Sequence, residues 1–328
     1  MGSVLALVNH WHWIGFTVFV LLALAVDLGV FHKAGRRVEV REALAWTALW
    51  GLAAVGFAFV IAPNFIGGWK HGDTATFMTG YLVELSLSMD NVFVIALIFR
   101  FFAVPQEWQH RVLFWGILGA LIMRGVLIGA GTVLIHQFHW LLYAMGVFLV
   151  YSGAKMMRTD DDPSVDPEHN PAVRLVRKFC PMTNQFDGER FTTHQAGRRL
   201  FTPLTLVLVM VETTDVVFAL DSIPAIFGVT NEAFLIFTSN VFALLGLRSL
   251  YFVLASALGS FRLLKYGLSL VLVLIGLKML AERWLKAWLG DSLMNVSLAV
   301  VGSIIVTSVV ASLLLGWFER RRKGGPSR

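Results

Sequence analysis

Two short segments carry acids where an apolar chain has no ordinary use for them. Glu84-Leu-Ser-Leu-Ser-Met-Asp90-Asn91 and Asp215-Val-Val-Phe-Ala-Leu-Asp221-Ser222 each read acid, five residues, acid, small polar. Both lie inside apolar runs of about 20 residues, long enough to cross ~30 Å of hydrocarbon. Glu212 stands just before the second segment. At a helix centre in a bilayer each carboxylate costs ~2.5–3.5 kcal/mol, and five uncompensated ones roughly 12–18 kcal/mol. That is as large as the stability of a whole domain, ~5–15 kcal/mol. The acids must therefore be paired, protonated or solvated. Arg124 and Arg248 are the cations deep enough in apolar sequence to oppose them, which leaves surplus negative charge for a bound cation to satisfy. The candidate metal-binding set is Glu84, Asp90, Asn91, Glu212, Asp215, Asp221 and Ser222. Arg124 and Arg248 would either partly neutralise the empty site or tie helices together. A polar network without a ligand is the alternative for the acids as well. Asp27, late in the first span, fits either a ligand or an interface residue.

The donor set narrows the ion. The spans offer carboxylate, amide, hydroxyl and backbone carbonyl oxygen with one thioether, Met89, and no deep His or Cys. Zinc, copper and nickel favour imidazole or thiolate, whereas Mn²⁺, Mg²⁺ and Ca²⁺ suit oxygen. One cysteine, Cys180, excludes an intramolecular disulfide and a cysteine-rich cluster. No glycine-rich phosphate loop is present, so the pattern points to a transporter rather than an enzyme or an ATP-driven pump. No resident cofactor is expected. The expected partners are a divalent cation, protons as counter-ion and the bilayer.

The elements that position these residues are membrane helices. Of 328 residues, 57% are hydrophobic and only 15% charged, with a mean hydropathy of +0.70, which places the chain among all-α polytopic membrane proteins. Nine spans can be read, at roughly 12–31, 44–62, 77–99, 112–133, 139–157, 202–227, 233–256, 264–282 and 292–317. The start of the chain lacks a basic segment and a small-residue cleavage site, so no removable signal is expected. Of the 27 Lys and Arg, 20 fall in one set of connections and 3 in the other. The positive-inside rule then puts the N-terminus outside and the C-terminus in the cytoplasm. The net charge of +6 is no nucleic-acid footprint, because the basic residues lie at helix ends. Residues 158–200 form a cytoplasmic loop too short for its own core, with a hairpin turn expected at Asp187-Gly188.

The two acidic segments also belong to a longer repeat. Arg124 in the fourth span matches Arg248 in the seventh, and Gly153-Ala-Lys155-Met-Met matches Gly276-Leu-Lys278-Met-Leu. Residues 77–157 and 201–282 are thus two three-helix units of opposite orientation, within a single transmembrane domain over 1–328. Inverted repeats with interrupted helices near the midplane are a recurring transporter design. Pro224, three residues after Asp221, predicts such an interruption. On an unbroken helix Asp90 and Asp221 lie about 120° from Glu84 and Asp215, and a break would let them turn inward. Lys155 and Lys278 near span ends read as snorkelling residues.

Three motifs carry a family resemblance: Glu84-x5-Asp90-Asn91-Val-Phe; Val211-Glu212-x2-Asp215-x2-Phe218-Ala219-x-Asp221-Ser222-Ile223-Pro224-Ala225; and Thr238-Ser239-Asn240-x5-Gly246-Leu247-Arg248-x2-Tyr251-Phe252. Together they resemble the TerC family over nearly the whole chain, including Asp27-Leu28 and Asp187-Gly188-Glu189. The resemblance implies a protein of the bacterial inner membrane with manganese efflux activity. It also brings two older labels, tellurite resistance and membrane redox modulation, under which the chain would be a stress accessory protein without transport. A redox role would need a carrier from a partner. A pocket rich in carboxylates would repel a tellurite oxyanion.

Overall fold

The computed structural model describes residues 8–31, 40–138, 140–158, 171–183, 185–195, 198–256 and 264–323. The protein is an all-α polytopic membrane protein. Its elements are α1 (His10–Phe31), α2 (Val40–Gly56), α3 (Ala62–Phe65), α4 (His71–Phe101), α5 (Gln106–Gln137) and α6 (Trp140–Arg158), followed by α7 (Pro171–Phe179), β1 (Thr192–Gln195), β2 (Arg198–Phe201), α8 (Pro203–Phe227), α9 (Ala233–Ser256), α10 (Leu264–Leu280), α11 (Glu282–Leu289) and α12 (Leu293–Lys323). Among the described residues, seven segments are long and apolar enough to cross a membrane: α2 with α3, then α4, α5, α6, α8, α9 and the core of α12. The two further spans read from sequence correspond to α1 and α10, which are helical but shorter in their apolar extent.

These helices are apolar on almost every side, as expected where both lipid and neighbouring helices are apolar. Burial then depends on position. α4 and α9 form the central pair, with α8 laid against α4, α5 against α9 and against α8, α6 against α10, and α2 against α9. Gly80 allows the close approach of α4 to α9, since a Cβ there would stand 2.9 Å from Ser239 Oγ. Rings of Phe16, Phe77 and Phe242 from three helices meet Phe57 at the end of α2 and fasten α1 and that end to this pair.

Two helix starts follow local chemistry. The Asp73 carboxylate accepts the Lys70 backbone N–H at 2.8 Å and closes the first turn of α4. Pro203 opens α8, where its missing N–H costs nothing.

The expected helix break is not where Pro224 predicted it. α8 runs unbroken from Pro203 to Phe227, with Pro224 inside it, and Gly228 N–H still reaches the Pro224 carbonyl at 3.0 Å. The ring's fixed φ is compatible with a helix, and buried Ile223, Ala225, Ile226 and Phe227 hold the last turn in place. The distortion lies instead between α2 and α3, where Phe57–Ile61 form a π turn just before Pro63. Proline crowds the preceding turn and widens it. The Ala58 carbonyl there accepts the Thr74 hydroxyl at 3.1 Å.

Outside the helices, β1 and β2 pair antiparallel, Thr192 opposite Phe201. The expected turn at Asp187-Gly188 is present as an antiparallel bridge between Asp187 and Arg190, with Gly188 at φ +55°. The acidic run at 160–168 lies outside the described residues.

Candidate metal centre

Four helices converge on Arg124. α5 carries the guanidinium inward at 1% exposure. α4 supplies Glu84, fully buried, which accepts from Arg124 Nη1. α8 supplies Asp215, which accepts from Nε at 3.4 Å and from Nη2 at 3.1 Å. α9 supplies Asn240, whose Oδ1 accepts from Nη1 at 3.3 Å. The arginine is thus a cation shared by one acid from each half of the chain. Its planar fork suits this geometry, because separate N–H edges face separate carboxylates.

Glu212 flanks the cluster. It lies over Gly119 of α5, where a Cβ would sit 2.0 Å from its Oε1, and its charge and that of Asp215 act on one another. Asn91 is also brought in: it lines, with Asp215 and Thr214, a cavity of about 20 Å³ between α4, α5, α8 and α9. That is room for about one water-sized occupant. Several polar atoms of α4, α8 and α9 are buried without a hydrogen-bond partner among the described residues, including Glu84 Oε2, Ser88 Oγ, Asn91 Nδ2, Ser222 Oγ and Asn240 Nδ2. Buried polar atoms are rarely left unsatisfied, and such a group marks a place with a further occupant or a functional role.

The structure does not bring every candidate to this point. Because α8 is unbroken, six residues of helix rotate Asp221 away from Asp215. Asp221 faces α6, where it accepts from Ser152 Oγ at 2.8 Å and feels the Lys155 ammonium. Arg248 is buried but lines a different cavity, with His110, Arg111, Asp187 and Glu189. Lys278 is no snorkelling residue, since its Nζ is buried in the protein. The side chains of Asp27 and Asp90 lie outside the described residues. Among the described residues, no three His, Cys, Asp or Glu side chains stand close enough to hold a metal ion together. The arrangement seen is one in which Arg124 occupies the space between the carboxylates.

Reading the sequence missed Asn240, Ser152 and Gly119. Asn240 had a signal, an amide inside an apolar helix within a quoted motif. Ser152 and Gly119 had none, because their roles depend on which helix lies opposite.

Comparison with known proteins places this geometry in a lineage. Residues 69–323 match the integral membrane protein TerC family. The chain is 47% identical over 306 residues to STKORF319 of Myxococcus xanthus, named only as an uncharacterized membrane protein, covering 92% of each chain. It is 39% identical over 318 residues to Alx of Escherichia coli (strain K12), provisionally named a membrane-bound redox modulator, covering 95% of this chain and 97% of that one. Alx of Salmonella typhi is 40% identical over 315 residues, covering 94% and 95%. No solved structure matches. With the acidic motifs, the helical architecture and these relatives in agreement, the chain belongs to the TerC family of integral membrane proteins.

Proposed function

We propose that this protein exports a divalent metal cation, Mn²⁺ foremost, across the bacterial inner membrane through the Glu84–Asp215 site. The observation that carries the reading is the buried triad itself, in which one arginine holds an acid from each half of the chain. Glu84, Glu212 and Asp215 carry three formal negative charges against one on Arg124, a residual of two that a divalent ion would neutralise. The oxygen-rich donors favour Mn²⁺, Mg²⁺ or Ca²⁺ over metals that seek imidazole or thiolate. Arg124 then acts as the resident counter-charge, released as the ion enters.

The inverted repeat is part of the proposal, and α6 and α10 support it. A Cβ on Gly153 would stand 2.7 Å from the Ser269 carbonyl and 2.8 Å from Val273 Cγ2. A Cβ on Gly276 would stand 2.7 Å from the Gly146 carbonyl and 2.9 Å from Val150 Cγ2. Shifting the first set by one constant register gives the second, as a two-fold axis between the helices requires. With the basic connections inside, the site would be reached from opposite faces by exchange of the two units. Outward movement of a divalent ion against an inside-negative potential costs about 4.6 kcal/mol per 100 mV, so a driving ion is needed. Proton antiport fits carboxylates that bind either metal or protons.

Purified protein in liposomes loaded with Mn²⁺ tests the reading directly. Mn²⁺ flux lost in Asp215→Asn, with opposite proton movement, is the expected outcome. The absence of flux for Mn²⁺, Ca²⁺ and Mg²⁺ alike would overturn it. A second reading, membrane redox modulation without transport, is favoured by the name of the Alx relatives. It predicts a partner-borne redox centre that co-purifies with the protein, whereas the transport reading predicts bound Mn²⁺.

A further inference from the structure

Two cavities are lined by neighbouring residues of α5 and α9. The inner one reaches Asp215 and is bounded by Leu113, Gly116 and Ala120 of α5 and Leu247 of α9. The outer one, of about 470 Å³, is lined by Phe114 and Arg248, the residues next to Leu113 and Leu247, and by Asp187, Glu189 and Arg190. The loop carrying those last three residues is attached in two different ways. On the α8 side its backbone is fixed, since Thr202 Oγ1 donates to the Arg190 carbonyl and Thr205 Oγ1 to the Phe191 carbonyl, each at 2.7 Å. On the α5 side the contacts seen are between side chains. Glu189 Oε2 lies 3.6 Å from Arg111 Nη1 and 3.9 Å from His110 Nε2. Phe186 rests on Trp108, and the Arg111 guanidinium lies 5.4 Å over the Phe191 ring.

We infer that residues 187–191 form a gate over an access path to Asp215, and that Glu189 is its latch. The inference rests on the proposed cation transport and adds the route by which the ion reaches the site from the face bearing the loop. One carboxylate ties the loop to α5 through a partly exposed ion pair with Arg111 and a longer contact with the His110 ring, a connection weak enough to break and re-form. The backbone bonds to α8 persist when it breaks, so the loop swings rather than unfolds. The outer cavity is lined by Arg111, Arg190 and Arg248 and by the acids Asp187 and Glu189; while the latch is shut, Glu189 lies on Arg111 and Asp187 lies 3.8 Å from Arg190. Leu113 and Leu247 line the inner cavity, and their chain neighbours Phe114 and Arg248 line the outer one.

The test uses full-length protein in detergent with Cys180→Ser, so that Ala120→Cys supplies the only thiol. Ala120 is small, buried and lines the inner cavity. Its reaction rate with a small cationic thiosulfonate reports access to the Asp215 cavity whether or not transport occurs. Glu189→Gln and Arg111→Gln should each raise that rate about two- to five-fold, the change in opening equilibrium given by loss of a half-exposed ion pair. The exchange pair Arg111→Glu with Glu189→Arg should return it to the parent value. Parent-like rates in both single variants, or faster labelling in the exchange pair than in either single variant, would overturn the gate. Mn²⁺ flux of the parent protein in liposomes is measured beside it. No flux with latch-dependent labelling would fail the transport reading and keep the gate, and flux with latch-independent labelling would do the reverse.

Discussion

Replacing Arg124 by Gln should destabilise the protein in metal-free buffer and make it responsive to Mn²⁺. Arg124 is almost wholly buried and donates to Glu84, Asp215 and Asn240. Glutamine is shorter and neutral, so both carboxylates lose their counter-charge. Leaving a buried charge unpaired costs ~3–5 kcal/mol. At about 2–4 °C per kcal/mol this is a fall of roughly 6–20 °C in melting temperature. If Glu84 and Asp215 bind a divalent ion, the variant no longer has to release an arginine first. At 100 times its Kd, Mn²⁺ adds about 2.7 kcal/mol, or roughly 5–11 °C. The wild-type shift should be smaller, because there the ion competes with Arg124. A double variant, Arg124→Gln with Glu84→Gln, should melt above the single variant, since less charge is left unpaired. Intrinsic-fluorescence melting of detergent-solubilised protein with Mn²⁺, Mg²⁺ and Ca²⁺ gives all these values. Equal Mn²⁺ shifts in wild type and Arg124→Gln, or none in either, would refute the reasoning and leave Arg124 as a structural tie.

The remaining predictions concern the surrounding shell. Gly119→Ala should displace the flexible end of Glu212 and weaken apparent Mn²⁺ affinity several-fold in liposome flux, with melting unchanged within a few degrees. Gly153→Ala and Gly276→Ala should each destabilise by about 1–3 kcal/mol, because the obstacles to the new methyl include backbone carbonyls. Near-equal losses in melting assays are expected if the two sites are symmetry mates, and a large difference would count against the repeat. Asp90→Asn should abolish Mn²⁺ efflux while leaving membrane insertion intact, since amides enter a bilayer more readily than carboxylates, whereas Asp221→Asn, whose side chain faces Ser152 rather than Asp215, should retain it. Cellular Mn²⁺ content together with membrane-fraction yield decides this, and normal efflux from Asp90→Asn would remove that residue from the transport site.

The helices were legible in the chain because their signal is local: an apolar run of span length folds as a helix wherever lipid leaves backbone groups no other partner. Each of the nine runs read at 12–31 through 292–317 falls on helical chain, with ends up to six residues from those of the helices, and seven segments of the described residues are long and apolar enough to cross a membrane. Residue chemistry was legible too, because a carboxylate costs so much in an apolar helix that Glu84, Glu212, Asp215 and Asp221 announce themselves in any alignment of the helices. Sequence could not choose the partners. Arg124 lies 40 residues from Glu84, 91 from Asp215 and 116 from Asn240, and no periodicity reaches across such distances. Arg124 and Arg248 were equivalent by pattern, yet one binds the acids and the other lines the outer cavity. Asp221 was expected beside Asp215 on the strength of a break at Pro224. The tertiary structure kept α8 continuous, because buried neighbours on both sides of the proline held its last turn, and 100° per residue then carried Asp221 round to Ser152. The residue types set the need for compensation, and helix packing selected which groups meet it.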